Sequence, residues 1–184
     1  MYAALGGEFV VWGITAHGQA LAFHPDNEQV NTMYFEPSKV SEMTMRHSLD
    51  IQRLRISAER HGWKEWRNGQ NMGEMSKGMN RPDALALDPM GVRTALEVER
   101  TAKTIRRYRV VLGNYLKSIK QGNISRVVWV CPTKDLALRL QRIVLGISSV
   151  VVNGQRLPID PSRHHVNLRF EDYESFVWKS QTPP

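Results

Sequence analysis

The stretch Arg81-Pro82-Asp83-Ala84-Leu85-Ala86-Leu87-Asp88-Pro89-Met90-Gly91-Val92-Arg93-Thr94-Ala95-Leu96-Glu97-Val98-Glu99 decides the fold. Two short apolar runs, Ala84 to Leu87 and Thr94 to Val98, flank the turn-forming segment Asp88-Pro89-Met90-Gly91. That arrangement predicts a β-hairpin. Side chains alternate along a strand, so Glu97 and Glu99 share one face. A three-residue turn at Pro89-Met90-Gly91 pairs Asp83 with Glu97 on that face. Carboxylates this close repel one another and raise one another's pKa. A hard cation relieves the repulsion and takes oxygen ligands. Asp83, Glu97 and Glu99 are therefore candidate ligands of Mg²⁺ or Mn²⁺, in a layout suited to phosphodiester cleavage. The plain alternative is three solvated acids on the outer face of a hairpin. Two features favour the metal reading. Glu97 and Glu99 interrupt an apolar strand, and a basic segment follows at once.

That segment runs from Arg100 to Arg126 with eight Lys or Arg and no Asp or Glu. The whole chain of 184 residues carries a net charge of +7. Such a balance argues for a polyanionic partner, nucleic acid before an acidic membrane surface. Arg100, Lys103, Arg106, Arg107 and Arg109 are the candidate phosphate contacts, setting register without reading sequence. The alternative for the run is a solvated helix face, although such faces usually mix both signs. The single cysteine, Cys131, excludes an intramolecular disulfide and a Cys-rich zinc site. It lies in the apolar run Val127 to Cys131 and reads as a buried, inert thiol. No run reaches transmembrane length and no signal segment follows Met1, so the chain reads as cytoplasmic, without membrane insertion.

Around the hairpin, periodicity predicts a helix from Met43 to His61, stopped by Gly62, and a short strand from Trp63 to Arg67. Asn68 to Asn80 reads as a mobile loop. A long helix from Ala102 to Gln121 carries the stripe Ile105, Tyr108, Leu112, Tyr115, Ile119. Arg126 to Cys131 reads as a central strand buried on both faces, and Asp135 to Leu145 as a helix. Val166 to Phe170 reads as a last strand and Asp172 to Trp178 as a short helix. The fold class is α/β, a mixed sheet flanked by helices. The first 24 residues resemble the wing of a winged-helix module: a Gly6-Gly7 turn, a strand over Glu8 to Ile14, then a short helix capped by Thr15; the alternative is an N-terminal hairpin covering a sheet edge. Residues 25–41 read as a linker, and 42–184 as the catalytic domain.

An α-β-β-β-α-β core with Pro82-Asp83 on the second strand and Glu97-Val98-Glu99 on the third resembles the PD-(D/E)XK nuclease superfamily. Glu99 stands where that pattern usually has lysine. More narrowly, the chain is similar to the MobC-type relaxases of mobilisable plasmids, the replication-relaxation family. The wing, His47-Ser48-Leu49, Arg81 to Ala84, Ala95 to Glu99, Tyr108 to Tyr115 and Val127 to Pro132 carry that resemblance, over roughly residues 7–148. It implies a bacterial relaxase that nicks one strand of plasmid DNA at a transfer origin. Relaxosome accessory and secretion-coupling proteins would be its partners. Asp83 and Glu97 would hold the metal, with the Val98 carbonyl. Glu99 would bind a second metal or take a proton from water. Lys103, on the first turn of the long helix, would replace the missing lysine or position phosphate. His47 and Gln52 lie on the first helix, which in that superfamily packs beside the active site, and would support the ligands; a plain helix-surface histidine is the alternative for His47. The departure at Glu99 keeps two other readings open: a DNA-binding accessory protein with a degenerate nuclease fold, and a double-strand endonuclease.

Other residues read less sharply. Tyr108 and Tyr115 invite a nucleophile's role but sit on the apolar stripe and read as core. His164 and His165 are adjacent and, in a strand, would point to opposite faces, so they are rejected as a shared metal site. Trp63 and Trp66 could stack on unpaired bases, but the preferred reading has one capping the core and one half-exposed.

Overall fold

The computed structural model describes residues 2–5, 9–12, 17–18, 41–69, 81–152 and 154–179. The chain divides into two compact units, Met1–Leu49 and Asp50–Pro184. In the first, β1 (Tyr2–Leu5) pairs antiparallel with β2 (Phe9–Trp12), Tyr2 opposite Trp12. The expected strand over Glu8 to Ile14 is thus realised at its centre. Residues 17–18 are helical. The Gly6-Gly7 turn, the Thr15 cap, the linker up to residue 40 and residues 70–80 of the expected loop lie outside the described residues.

The second unit begins within α1 (Glu42–Arg60). It continues through β3 (Lys64–Asn68), β4 (Ala84–Leu87), β5 (Arg93–Val98), α2 (Ile105–Lys120), β6 (Arg126–Cys131) and α3 (Lys134–Leu145). Then come β7 (Ser149–Val152), β8 (Gln155–Pro158), α4 (Pro161–His164), β9 (Leu168–Asp172) and α5 (Tyr173–Lys179). Five strands form one mixed sheet in the order β3-β4-β5-β6-β9. The β3-β4-β5 pairs are antiparallel, and β6 runs parallel to both β5 and β9. The α/β class with a mixed sheet flanked by helices is as expected. Among the described residues no helix is long and apolar enough to cross a membrane.

The hairpin forms around Asp88. Its buried carboxylate accepts from Met90 N (2.9 Å) and Val92 N (2.8 Å) and binds the Arg126 guanidinium (2.6 Å). Gly91, at φ +77°, supplies the left-handed residue that closes the turn. Asp88 N donates to Val92 O at 3.1 Å, which leaves Pro89, Met90 and Gly91 as the three-residue turn. Ala84 then pairs with Leu96 and Leu87 with Arg93, the expected register.

Two apolar clusters cover the two faces of the sheet. One joins Ala95, Val127, Trp129 and Cys131 to Tyr108, Leu112 and Tyr115 of α2 and to Leu140 and Val144 of α3. The other joins Leu96, Val98, Val128 and Val130 to Leu54 and Ala58 of α1 and to Trp63, Trp66 and Phe176. Strand β6 contributes to both, so it is central and buried on each face, as its unbroken apolar run implies. Trp63 and Trp66 are both buried, at 8% and 9% exposure, correcting the expectation that one is half-exposed. Both rings fill the cluster between α1 and the sheet, where two large apolar bodies gain more than one.

Two features were not foreseen. The antiparallel ribbon β7–β8 packs β7 on α2, where an added Cβ on Gly113 would stand 2.9 Å from the Val151 carbonyl. Its other strand, β8, is exposed along its length. Second, α2 starts later than predicted. Thr104 is its cap, with extended backbone and a side chain that accepts from Arg107 N. Lys103 therefore lies in the connection before the helix, not on its first turn.

Candidate functional site

The carboxylates gather at the carboxyl end of β5, beside β6. In-register neighbours on adjacent strands share a face. Extending the β4–β5 register by one residue places Asp83 opposite Glu97, and Glu97 in turn pairs with Trp129, which pairs with Phe170. The Asp83 carbonyl is turned to β3, accepting from Gly69 N at 2.8 Å. The Glu99 amide is turned to β6, donating to Val130 O at 3.0 Å. Backbone groups alternate sides along a strand, so Asp83 and Glu97 form a non-hydrogen-bonded pair. In such pairs the Cα atoms stand only about 4.5 Å apart and the side chains lie closest. The Asp83 carboxylate also caps the end of β5, accepting from Val98 N at 2.7 Å.

Glu97 stands against the Trp129 side of the core. Burial, then the charge of Asp83, push its carboxyl up from 4.5 to about 8, with a smaller push from Glu99. A hydrogen bond from the Tyr115 phenol and the charge of Lys103 pull the other way. On balance the carboxyl holds its proton to a higher pH than a free glutamate does.

Glu99 is buried at 4% exposure. Its Oε2 meets the Lys103 ammonium at 2.9 Å and the Tyr108 phenol at 3.2 Å. The same phenol accepts from the Lys103 backbone N–H at 2.9 Å. Burial, followed by the Glu99 charge among the raising influences, pushes the Tyr108 phenol to about 12 despite that backbone bond. One strand pair further, Glu99 falls in line with Cys131 and Asp172. Burial, then Glu99 and Asp172, push the Cys131 thiol to about 12, so it is an inert thiol as expected. Asp172 is held low. Burial opposes this, but bonds from Ser175 N (2.9 Å) and Ser175 Oγ (2.7 Å) outweigh it.

The structure thus brings Asp83, Glu97, Glu99 and Lys103 into one neighbourhood. Arg106, Arg107 and Arg109 are exposed on α2 directly after it. Arg100 is placed differently. Its guanidinium forms an ion pair with the buried carboxylate of Asp50 on α1. Gln52 is exposed on α1, and His47 belongs to the first compact unit. His164 lies in α4 rather than a strand, and its Nδ1 accepts from Asp160 N at 3.0 Å.

Sequence reasoning missed the roles of Asp50, Tyr108 and Tyr115. The helical stripe announced the two rings, but not that both phenols end on carboxylates. Among the described residues no three Asp, Glu, His or Cys side chains form a ready-made cation cage. Asp83 and Glu97 form an acidic pair by register, and the charges of both Asp83 and Lys103 act on Glu97.

No family model, no curated protein and no solved structure matches this chain. The functional reading rests on the site itself.

Proposed function

We propose that this protein is a metal-dependent DNA nickase of the PD-(D/E)XK type, acting as a relaxase at a plasmid transfer origin. The observation that carries the reading is the Asp83–Glu97 pair: two carboxyl groups packed side by side, one pushed up to about 8, next to exposed arginines. Selection for DNA binding alone has no use for paired, half-buried acids that repel phosphate.

Asp83, Glu97 and the Val98 carbonyl are the oxygen donors for Mg²⁺ or Mn²⁺. Two carboxylates suffice, because Mg²⁺ is commonly bound by one or two and keeps several waters. When bound, the metal supplies a Lewis acid for the phosphate and a water of lowered pKa. Lys103, with a side chain 36% exposed, is placed to meet the negative charge that builds on the phosphate. Glu99, held beside it, is the group positioned to accept a proton from the attacking water. Arg106, Arg107 and Arg109 contact the DNA backbone and fix its register. Relaxosome accessory and secretion-coupling proteins are the partners this role entails, in a bacterial cytoplasm.

A nicking assay on supercoiled plasmid carrying the cognate origin, with Mg²⁺ or Mn²⁺, tests the reading. Wild type should yield open circles, and Asp83→Ala and Glu97→Ala should yield none while binding DNA at least as tightly. Linear product instead would identify a double-strand endonuclease. One observation favours a second reading, a DNA-binding accessory protein with a degenerate nuclease fold. Glu99 occupies the usual lysine position and neutralises Lys103. Intact DNA binding with no cleavage at any metal concentration would establish that reading.

A further inference from the structure

We infer that Tyr108 and Tyr115 are positioning residues of the carboxylate site: from one face of α2, Tyr115 fixes Glu97, and Tyr108 fixes Glu99 together with Lys103. This rests on the reading of Asp83, Glu97 and Lys103 as the reactive groups. Both rings are 2% exposed and both belong to the apolar cluster under α2. Phenylalanine would fill the same space. A buried hydroxyl lowers stability unless it is hydrogen-bonded, so each phenol needs a reason to be there. Each ends on a different carboxylate of the Glu97-Val98-Glu99 stretch, Tyr115 on Glu97 Oε1 and Tyr108 on Glu99 Oε2.

The spacing makes this possible. Residues seven apart on a helix recur on one face, and residues two apart on a strand do the same. One helix face therefore meets one strand face at two points, with Leu112 filling the core between the tyrosines. Tyr115 is itself held rigidly. Its ring packs edge-on against Trp129 at 6.0 Å, and Trp129 stacks on Phe170 at 5.0 Å. Glu97 thus receives its hydrogen bond from a donor with no freedom to swing.

Tyr108 has a larger task. Its oxygen accepts from the Lys103 backbone N–H, its O–H donates to Glu99, and the Lys103 ammonium returns to the same Glu99 oxygen. Main chain and side chain of Lys103 are both pinned in the short connection between β5 and α2. Without such a device, a lysine in a loop holds its ammonium in many places. With it, the cation has a defined position relative to Glu97.

The two tyrosines divide the work, and the test exploits the division. In the full chain, Tyr115→Phe should weaken Mn²⁺ binding about tenfold, the loss of roughly one charge-assisted hydrogen bond. Added Mn²⁺ should restore its nicking rate. Tyr108→Phe should keep Mn²⁺ affinity within about twofold, yet lower kcat on plasmid about tenfold or more at unchanged KM. A merely structural role would move neither ratio selectively. Native Mn²⁺ affinity in Tyr115→Phe, or native kcat in Tyr108→Phe, would overturn the inference.

A wild type that neither binds Mn²⁺ nor nicks would refute the functional reading alone. The placement of the carboxylates is then decided by urea unfolding. Midpoint shifts should be non-additive for Tyr115→Phe with Glu97→Gln and for Tyr108→Phe with Glu99→Gln. They should be additive for the crossed pairs. Additive shifts throughout would end the inference.

Discussion

Replacing Glu97 by glutamine isolates the electrostatic load of the site. The folded carboxyl is pushed up to about 8, against 4.5 in an unfolded chain. Below pH 4.5 both states hold the proton, and Glu97 is a neutral, hydrogen-bonded acid. Between 4.5 and 8 only the folded state keeps it, so unfolding releases a proton and stability falls as pH rises. The slope approaches about 1.4 kcal/mol per pH unit. Over the whole window the ceiling is about 5 kcal/mol, reached above pH 8. Glutamine keeps an oxygen for the Tyr115 phenol and removes the titration. Measured by urea unfolding with a chelator present, Glu97→Gln should match wild type near pH 4.5. It should exceed wild type by about 2 kcal/mol or more at pH 8. A stability difference that is the same at pH 5 and pH 8 would refute the reasoning. So would a wild type that gains stability across that window through this residue.

Asp88→Ala should cost about 3 kcal/mol, because it strands two turn amides and the Arg126 guanidinium; chemical denaturation checks it, and Asp88→Asn should recover about half. Gly113→Ala should lower stability by about 1 kcal/mol net. The clash with the Val151 carbonyl exceeds the gain in helix propensity, and thermal unfolding reads the difference. The triple variant Arg106→Ala, Arg107→Ala, Arg109→Ala should flatten the salt dependence of DNA binding, lowering the log–log slope by about 2.7, with the fold intact by circular dichroism. An unchanged slope would remove that face of α2 from the interface.

The central hairpin could be read from its residues because its information is local. The turn formers at Asp88 to Gly91 set the loop length, the loop length set the register, and the register brought Asp83 to Glu97. The continuous apolar run of β6 likewise announced a strand buried on both sides. What escaped were contacts between residues far apart in sequence. Asp50 holds Arg100, and Asp88 holds Arg126, and no spacing rule reveals such partners. The phenols of Tyr108 and Tyr115 escaped because helical periodicity gives the direction of a ring and not what lies at its tip. Lys103 reads as helical because the basic, helix-compatible run continues through it, whereas Thr104 caps α2 and Ile105 is its first residue. The β7–β8 ribbon had a usable signal, an Asn153-Gly154 pair after the strand-forming Val150 to Val152. Its polar outer strand, with Gln155, Arg156 and Pro158, hid the alternation that would have completed it.

The central claim is that Asp83 and Glu97 together hold a divalent cation. Calorimetric titration of Mn²⁺ into the full chain at pH 7.5, repeated with Asp83→Asn and with Glu97→Gln, tests it most directly. The account predicts one binding event in wild type, accompanied by proton release as Glu97 ionises, and its loss in both variants. Equal Mn²⁺ binding by wild type and both variants would contradict it.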